Sequence, residues 1–437
     1  MSHAVSRRTF LRQGAGAAGL AGLTLTTGLP VRAAAPSATV TLGCIGLGGM
    51  GSALLGSFLG MGDARVLAVC DVDRQTAEQK RDTVNQRYDN TDCTCYTDFR
   101  DVIERKDIDA VVIATPDHWH AVPAILAAEA GKDIYCEKPM THDLREGRAV
   151  CDAVQQHGVI WQTGSWQRSL NHFRFACELV RNGYIGKVRH IEVGLPDGGD
   201  GPVVGDFPPS PEWLDYDFWV GPAPYVPYHP QRCKGNWRWW LGFGGGQLMD
   251  WVGHHGDIAH MGMGWDRTGP LEIEPLHWSV PAASNLYDAA TDYEYVCTYE
   301  GGVTMHVANM RRMPEVFSQY GDTGTQFFGD DDRYVWVGRS GLHTSPAELG
   351  SISLSGNDLR LTVSPGHQHE FIASVKTRRP CLAHEEAGHR SASIGHLGMV
   401  ACRLGTRLHW DPVNEQVVDS PTAERLLGRA YRAPWTL

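Results

Sequence analysis

The chain has 437 residues, 42% hydrophobic and 20% charged, with 14 Trp and 50 Gly. That is ample for a large core without disulfide or metal staples, and too apolar for a disordered chain. Lys and Arg number 39 against 50 Asp and Glu, a net charge of −11; no basic field exists to hold a phosphate backbone, so nucleic acid is not an expected partner.

Residues 1–33 read as an address. Arg7 and Arg8 stand just before a weakly apolar, glycine-broken stretch from Leu11 to Leu29, followed by small residues at Ala33, Ala34 and Ala35. Charge, apolar and cleavage regions in that order resemble a twin-arginine export signal, and the glycines argue against a membrane span. The expected location is the periplasm or beyond, with no membrane anchor after the signal is removed. Twin-arginine export moves folded proteins, so a cofactor acquired in the cytoplasm travels with the chain. The 11 Cys, scattered apart from the Cys93-Thr94-Cys95 run, read as small buried residues and not as a disulfide framework or zinc site.

Residues 38–160 carry the pattern of a nucleotide-binding Rossmann domain, a doubly wound parallel sheet. The apolar run Val40 to Ile45 is a strand, and Gly46-Leu47-Gly48-Gly49-Met50-Gly51 follows it into a helix continuing to Leu59. In this G-x-G-x-x-G turn Gly46 permits the tight bend, Gly48 lets backbone approach a pyrophosphate, and Gly51 lets the helix pack on the strand. Gly49 and Met50 supply further amides at the positive end of the helix. A second strand, Arg65 to Cys70, ends in Asp71, twenty residues after Gly51. A carboxylate there accepts from ribose hydroxyls and repels a 2′-phosphate, so NAD is favoured, with Arg74 leaving NADP open. A third strand, Asp109 to Ala114, runs into Thr115 and Pro116, and a helix over 121–130 follows. The strand Asp133 to Cys136 leads into Glu137-Lys138-Pro139. Thr115, His118 and Lys138 therefore fall at strand ends on one edge of the sheet, where such sheets bind ligands.

Residues 161–437 read as a second, α+β domain with a large, mostly antiparallel sheet. Residues 196–230 hold nine of the 24 prolines and little periodicity, a long irregular excursion. It feeds into Asn236-Trp237-Arg238-Trp239-Trp240, where indole faces and a guanidinium suit a sugar ring. The glycines 244–246 open a helix that places Asp250, His254 and Asp257 at i, i+4 and i+7 on one face. A carboxylate one turn from an imidazole fixes its tautomer and raises its basicity. A metal reading of Asp250, His254, His255 and Asp257 lacks a wider His/Cys cluster, and no metal is expected. Alternating segments at 293–298, 303–307 and 334–337 are strands, and 386–404 is a late helix.

The run from Val40 to Leu437 resembles the glucose–fructose oxidoreductase / inositol dehydrogenase family, Gfo/Idh/MocA, in its exported bacterial branch. The pieces that carry the likeness are Gly46 to Gly51, Asp71, Thr115 to His120, Glu137-Lys138-Pro139, 184–188, 214–224, the glycine–Asp250–His254–Asp257 pattern, 410–412 and 431–435. The resemblance implies hydride transfer from a sugar carbinol to a firmly held NAD(P). Lys138, His254 and Asp250 are then the catalytic residues, with His254 or its neighbour His255 as proton acceptor. Thr115, His118, His120, Glu137 and Lys138 join the glycine loop and Asp71 around the cofactor. Gln167, Arg168, Trp237, Arg238 and His255 contact the substrate. The sheet of the second domain pairs subunits into a dimer or tetramer. Two other outcomes stay open: a redox-neutral NAD-dependent glycosidase, and a sugar-binding protein without turnover.

Overall fold

The computed structural model describes residues 38–437; the export signal read at residues 1–33 lies outside the described residues. Six strands form a parallel sheet: β1 (Val40–Ile45), β2 (Ala64–Cys70), β3 (Thr94–Tyr96), β4 (Ala110–Ile113), β5 (Asp133–Cys136) and β6 (Trp161–Thr163). Their order is β3-β2-β1-β4-β5-β6, so the chain winds outward from β1 in both directions and opens a crevice between β1 and β4. Every residue of β4 and β5 is buried, as expected for strands covered by helices on both faces. The helix Gly49–Leu59 buries Leu54, Leu55 and Phe58 on one face. The helices Ala121–Glu129 and Leu144–His157 bury Ala124, Val150 and Val154 on the other.

The boundary expected at residue 160 falls one strand early, because β6 completes the parallel sheet through pairing with β5. Three residues are too few to show a period. Nor is the first domain contiguous: the helix His367–Thr377 returns to pack Phe371, Ile372 and Val375 into its core.

The second sheet has nine strands: β7 (His190–Leu195), β8 (Glu272–Ser279), β9 (Asp292–Thr298), β10 (Thr304–Asn309), β11 (Gly324–Phe328), β12 (Tyr334–Gly338), β13 (Gly341–Ser345), β14 (Leu408–Asp411) and β15 (Gln416–Val417). The order is β13-β12-β11-β7-β10-β9-β8-β14-β15, antiparallel except where β7 meets β10. Alternation divides it cleanly. Ile191, Val193, Tyr293, Tyr295, Met305 and Val307 form one buried face, packed in a single core with residues of the helices Asn171–Arg181, Gly246–Met263 and Glu385–Leu404. Glu192, Glu294 and His306 stand on the other face in a cross-strand ion-pair row. All 11 cysteines are free and ten are buried, as the sequence predicts. Among the described residues no helix is long and apolar enough to cross a membrane.

Candidate active site

The carboxyl ends of β1, β2, β4 and β5 border a cavity of about 640 Å³ lined by Gly46, Gly48, Gly49, Met50, Asp71, Thr115, Glu137 and Lys138 among others. The glycines divide by role. Gly46 has φ +83°, and a Cβ on it would meet the backbone of Ala114 and Thr115 at 2.7 Å. A Cβ on Gly51 would stand 1.9 Å from the Gly46 carbonyl oxygen, so Gly51 serves helix packing and does not line the cavity. Gly48 and Gly49 have open space where a Cβ would be. The helix beginning at Gly49 has no side-chain cap and no acid in its first turn, so its amides and positive dipole end are left for an anion. These features fit a dinucleotide pyrophosphate. At the other end of the loop, Asp71 accepts from the Leu47 amide at 2.8 Å and the Asp73 amide at 2.9 Å. Burial pushes its carboxyl up to about 6 against the pull of those amides.

Two expected cofactor contacts fall behind this wall. His118 directs Nε2 at the Trp219 carbonyl, 3.0 Å away, and His120 lies between the carbonyls of Pro139 (2.8 Å) and Thr115 (2.9 Å). Both rings are buried and neither lines the cavity; they brace the strand-end turns. Asp117, just before them in the chain, does line it, and burial lifts its carboxyl well above the usual range.

The proline-rich excursion forms the outer wall of the cavity. Trp213, Leu214, Phe218, Trp219, Tyr228 and Lys234 line it. Arg74 donates its amide to the Trp213 carbonyl at 3.0 Å, and Asp215 donates to the Val72 carbonyl at 3.1 Å, so the excursion is stitched to the end of β2. Its own small core of Tyr216, Trp219, Val220, Trp240 and Phe243 holds it there. Trp237 and Arg238 belong to this same cavity; the guanidinium lies 4.4 Å from the Trp237 ring centroid.

At the inner end of the cavity stands Lys138. It packs against the helix Gly246–Met263 beside Gly253, where even a Cβ would stand in ordinary contact with Lys138 Cβ at 3.4 Å. Lys138 Nζ donates to both the carbonyl and Oδ1 of Asp250 at 2.8 Å, and Arg238 Nε donates to the same Oδ1 at 3.0 Å. Burial alone would raise Asp250, but the two cations prevail and hold it at about 2. An ammonium has three donors, so Lys138 keeps one for a ligand oxygen.

The pairing expected between Asp250 and His254 is absent, because the two cations take the carboxylate. Among the described residues His254 has no hydrogen-bond partner, and its Nδ1 is buried. Its ring packs edge-on against Trp166 and Trp251, with centroids 6.1 and 5.7 Å away. Burial, then the charges of Lys138 and Arg339, hold its pKa far below the ordinary histidine value, so the ring is neutral. His255 turns elsewhere. Its Nε2 lies 3.0 Å from Thr323 Oγ1, Gln167 Nε2 lies 3.3 Å from its Nδ1, and its ring stacks on Trp251. His255 and Gln167 are fully buried, so neither is placed to meet a substrate.

Arg168 and Asp257 also leave the site. Arg168 is 2% exposed and holds Asp257 through two bonds of 2.7 Å and Asp266 through bonds of 3.0 and 2.7 Å. Ser391 donates to the same Asp257. This is a core brace joining three elements. Among the described residues no group of three or more His, Cys, Asp or Glu side chains converges as a metal ligand set. The sequence reading missed Trp166, Trp251 and Arg339. Trp166 had a signal: it stands three residues beyond β6, at the carboxyl edge where parallel sheets bind ligands.

Fold and cavity together define a two-domain dinucleotide-binding protein of the oxidoreductase class. The model of the oxidoreductase family's NAD-binding Rossmann fold matches residues 40–165. The model of its C-terminal alpha/beta domain matches 205–317 and 358–437. The chain belongs to the Gfo/Idh/MocA family. It is 33% identical over 166 residues to the inositol 2-dehydrogenase of Rhizobium meliloti, covering 38% of this chain and 48% of that one. It is 32% identical over 151 residues to the 2,7-anhydro-N-acetylneuraminate hydratase of Mediterraneibacter gnavus, covering 34% and 38%. The chain thus spans less than half the length of the curated relatives it matches. Among solved structures, the aldose-aldose oxidoreductase of Caulobacter crescentus superposes with a TM-score of 0.60 at 18% identity, covering 85% of this chain and 99% of that one; it shares the fold.

Proposed function

We propose that this protein is an exported, NAD(P)-dependent oxidoreductase that keeps its dinucleotide bound and oxidises a hydroxyl-bearing carbon of a sugar. The observation that carries the reading is Lys138 at the inner end of a dinucleotide-sized cavity, with one donor unspent and its charge acting on the buried imidazole of His254. When bound, the nicotinamide supplies the acceptor for a hydride from the carbinol carbon. The chain's own residues do the rest. Lys138 Nζ hydrogen-bonds the carbinol oxygen and steadies it as it becomes a carbonyl, His254 takes the hydroxyl proton, and Asp250 fixes the Lys138 ammonium. The outer wall, stitched to the end of β2 through Arg74 and Asp215, supports retention of the cofactor. The Arg7-Arg8 segment supports export, and the half-exposed outer face of β8 and β9 is a surface for subunit pairing.

Mixing purified protein with a panel of sugars and following the reduced-nicotinamide absorbance tests the reading. Reduction of a co-purified dinucleotide is expected, and no response together with no dinucleotide would refute it. A second reading, elimination followed by water addition with the hydride returned, is favoured by the relative named as a hydratase. Product analysis on aryl glycosides separates the two: a keto-sugar supports oxidation, and an unoxidised sugar with freed aglycone supports the redox-neutral route. N-terminal sequencing of protein from the periplasmic fraction tests export, with a start near residue 34 expected.

A further inference from the structure

Arg339 occupies the first position of the two-residue turn between β12 and β13, whose ends Gly338 and Gly341 pair across the hairpin. Asp322 fixes that turn, accepting from the Ser340 amide at 3.0 Å and the Thr323 amide at 2.8 Å. Its carboxylate is spent on backbone and makes no ion pair with Arg339. Among the described residues Arg339 has neither a hydrogen bond nor an ion pair to the protein.

Its guanidinium instead lies 4.6 Å from the Trp166 ring centroid and 4.4 Å from that of Trp251. The same two indoles flank His254, so one pair of aromatic rings holds both an unpaired cation and the proposed proton acceptor. A guanidinium carries its five N–H donors around its edge, and packing over rings leaves that edge free for a planar, two-oxygen partner. The indoles also limit the rotamers of the long side chain, so little freedom is lost when a ligand binds.

The charge balance points the same way. Lys138 and Arg238 pair with Asp250, and the charges of Asp322 and, less strongly, Asp250 act on Arg339. Burial lifts the Asp117 carboxyl well above its ordinary range and Glu137 to about 7, which weakens the negative charge facing Lys138 and Arg238.

We propose that the substrate is an acidic sugar, a hexuronic acid or its glycoside, whose carboxylate is received by Arg339 on its platform of Trp166 and Trp251. This rests on the oxidoreductase reading for the position of the reacting carbon, but not for the binding of the carboxylate.

The test uses the holoenzyme. Methyl glucuronide and methyl glucoside differ only in a carboxylate against a hydroxymethyl group, and the ratio of their kcat/KM values for cofactor reduction is expected to exceed about 30-fold, the worth of a charge-assisted pair. Arg339→Ala should collapse that ratio, and Arg339→Lys should restore part of it, which a merely structural role would not do. Intrinsic tryptophan fluorescence gives a readout free of turnover: glucuronate should saturate a signal in the native protein at concentrations where glucose does not, and lose it in Arg339→Ala. Equal handling of the two methyl glycosides, with a ratio insensitive to Arg339, overturns the inference and leaves the oxidoreductase reading intact. Glucuronate binding through Arg339 without reduction of the cofactor by any sugar upholds it and removes the oxidoreductase reading. A response to glucose 6-phosphate but not to glucuronide overturns the carboxylate assignment.

Discussion

Replacing Asp250 by Asn removes the one charge that Lys138 and Arg238 share, while keeping size and an acceptor oxygen. The Asp250 carboxyl, ordinarily near 3.8, is held at about 2. At about 1.36 kcal/mol per pH unit, its ionised form stabilises the native state by roughly 2 kcal/mol. The side chain is only 19% exposed, so solvent screening takes little from that figure. Because the native pKa is depressed, this contribution is complete above pH 4 and is lost as pH falls toward 2. The variant also leaves two cations without a counter-charge, which brings the expected loss to about 3 kcal/mol at pH 7, or roughly 5 °C in Tm for a chain of this size. Differential scanning calorimetry at pH 7 and pH 3 reads the difference, which should narrow at the lower pH. Single-turnover cofactor reduction should fall about 100-fold as the Lys138 ammonium loses its anchor. An Asp250→Asn protein with native Tm at pH 7 and native reduction rate would refute the reasoning that Asp250 holds Lys138 in place.

Gly51→Ala should cost roughly 2 kcal/mol, since its Cβ meets the Gly46 carbonyl oxygen at 1.9 Å. Gly48→Ala, with open space around it, should keep native stability and weaken dinucleotide affinity at least about tenfold; thermal melts and calorimetric titration of stripped protein check both. With Asp71 lifted to about 6, lowering pH from about 8 to 5 protonates it, weakening NAD and relieving repulsion of a 2′-phosphate. The NAD-to-NADP affinity ratio should therefore fall with pH in the native protein and stay flat in Asp71→Asn. His254→Asn, which keeps much of the buried side chain's volume and breaks no hydrogen bond, should cost little stability and cut turnover about 100-fold or more. His255→Ala should instead lower Tm, through loss of the Thr323 bond and the stack on Trp251. The reverse pattern would assign the proton to His255.

Where chemistry is local in sequence, the chain states it openly. Gly46 to Gly51 and Asp71 are legible because strand, turn and helix are consecutive, and the structure brings Gly46, Gly48, Gly49, Met50 and Asp71 to one cavity. The helix carrying Asp250 and His254 is likewise plain from its opening glycines and its spacing. The partner of Asp250 is not: Lys138 is 112 residues away, and a nearby ammonium and guanidinium outcompete an imidazole one turn along the helix. Arg168 fails as a substrate residue for the same reason, because its partner Asp257 lies 89 residues on and takes its fork into the core. The excursion over 196–230 has no period to read, its conformation being set by proline and by contacts to β2. Only its docking shows that irregular chain can wall a cavity. Arg339 gives no signal at all, since its meaning comes from two tryptophans on other elements.

The most direct measurement is mass spectrometry of the supernatant after denaturing the purified, extensively dialysed protein. A pyridine dinucleotide close to one per chain is the predicted result. Protein that releases none, and binds none when NAD or NADP is added back, would contradict the central claim.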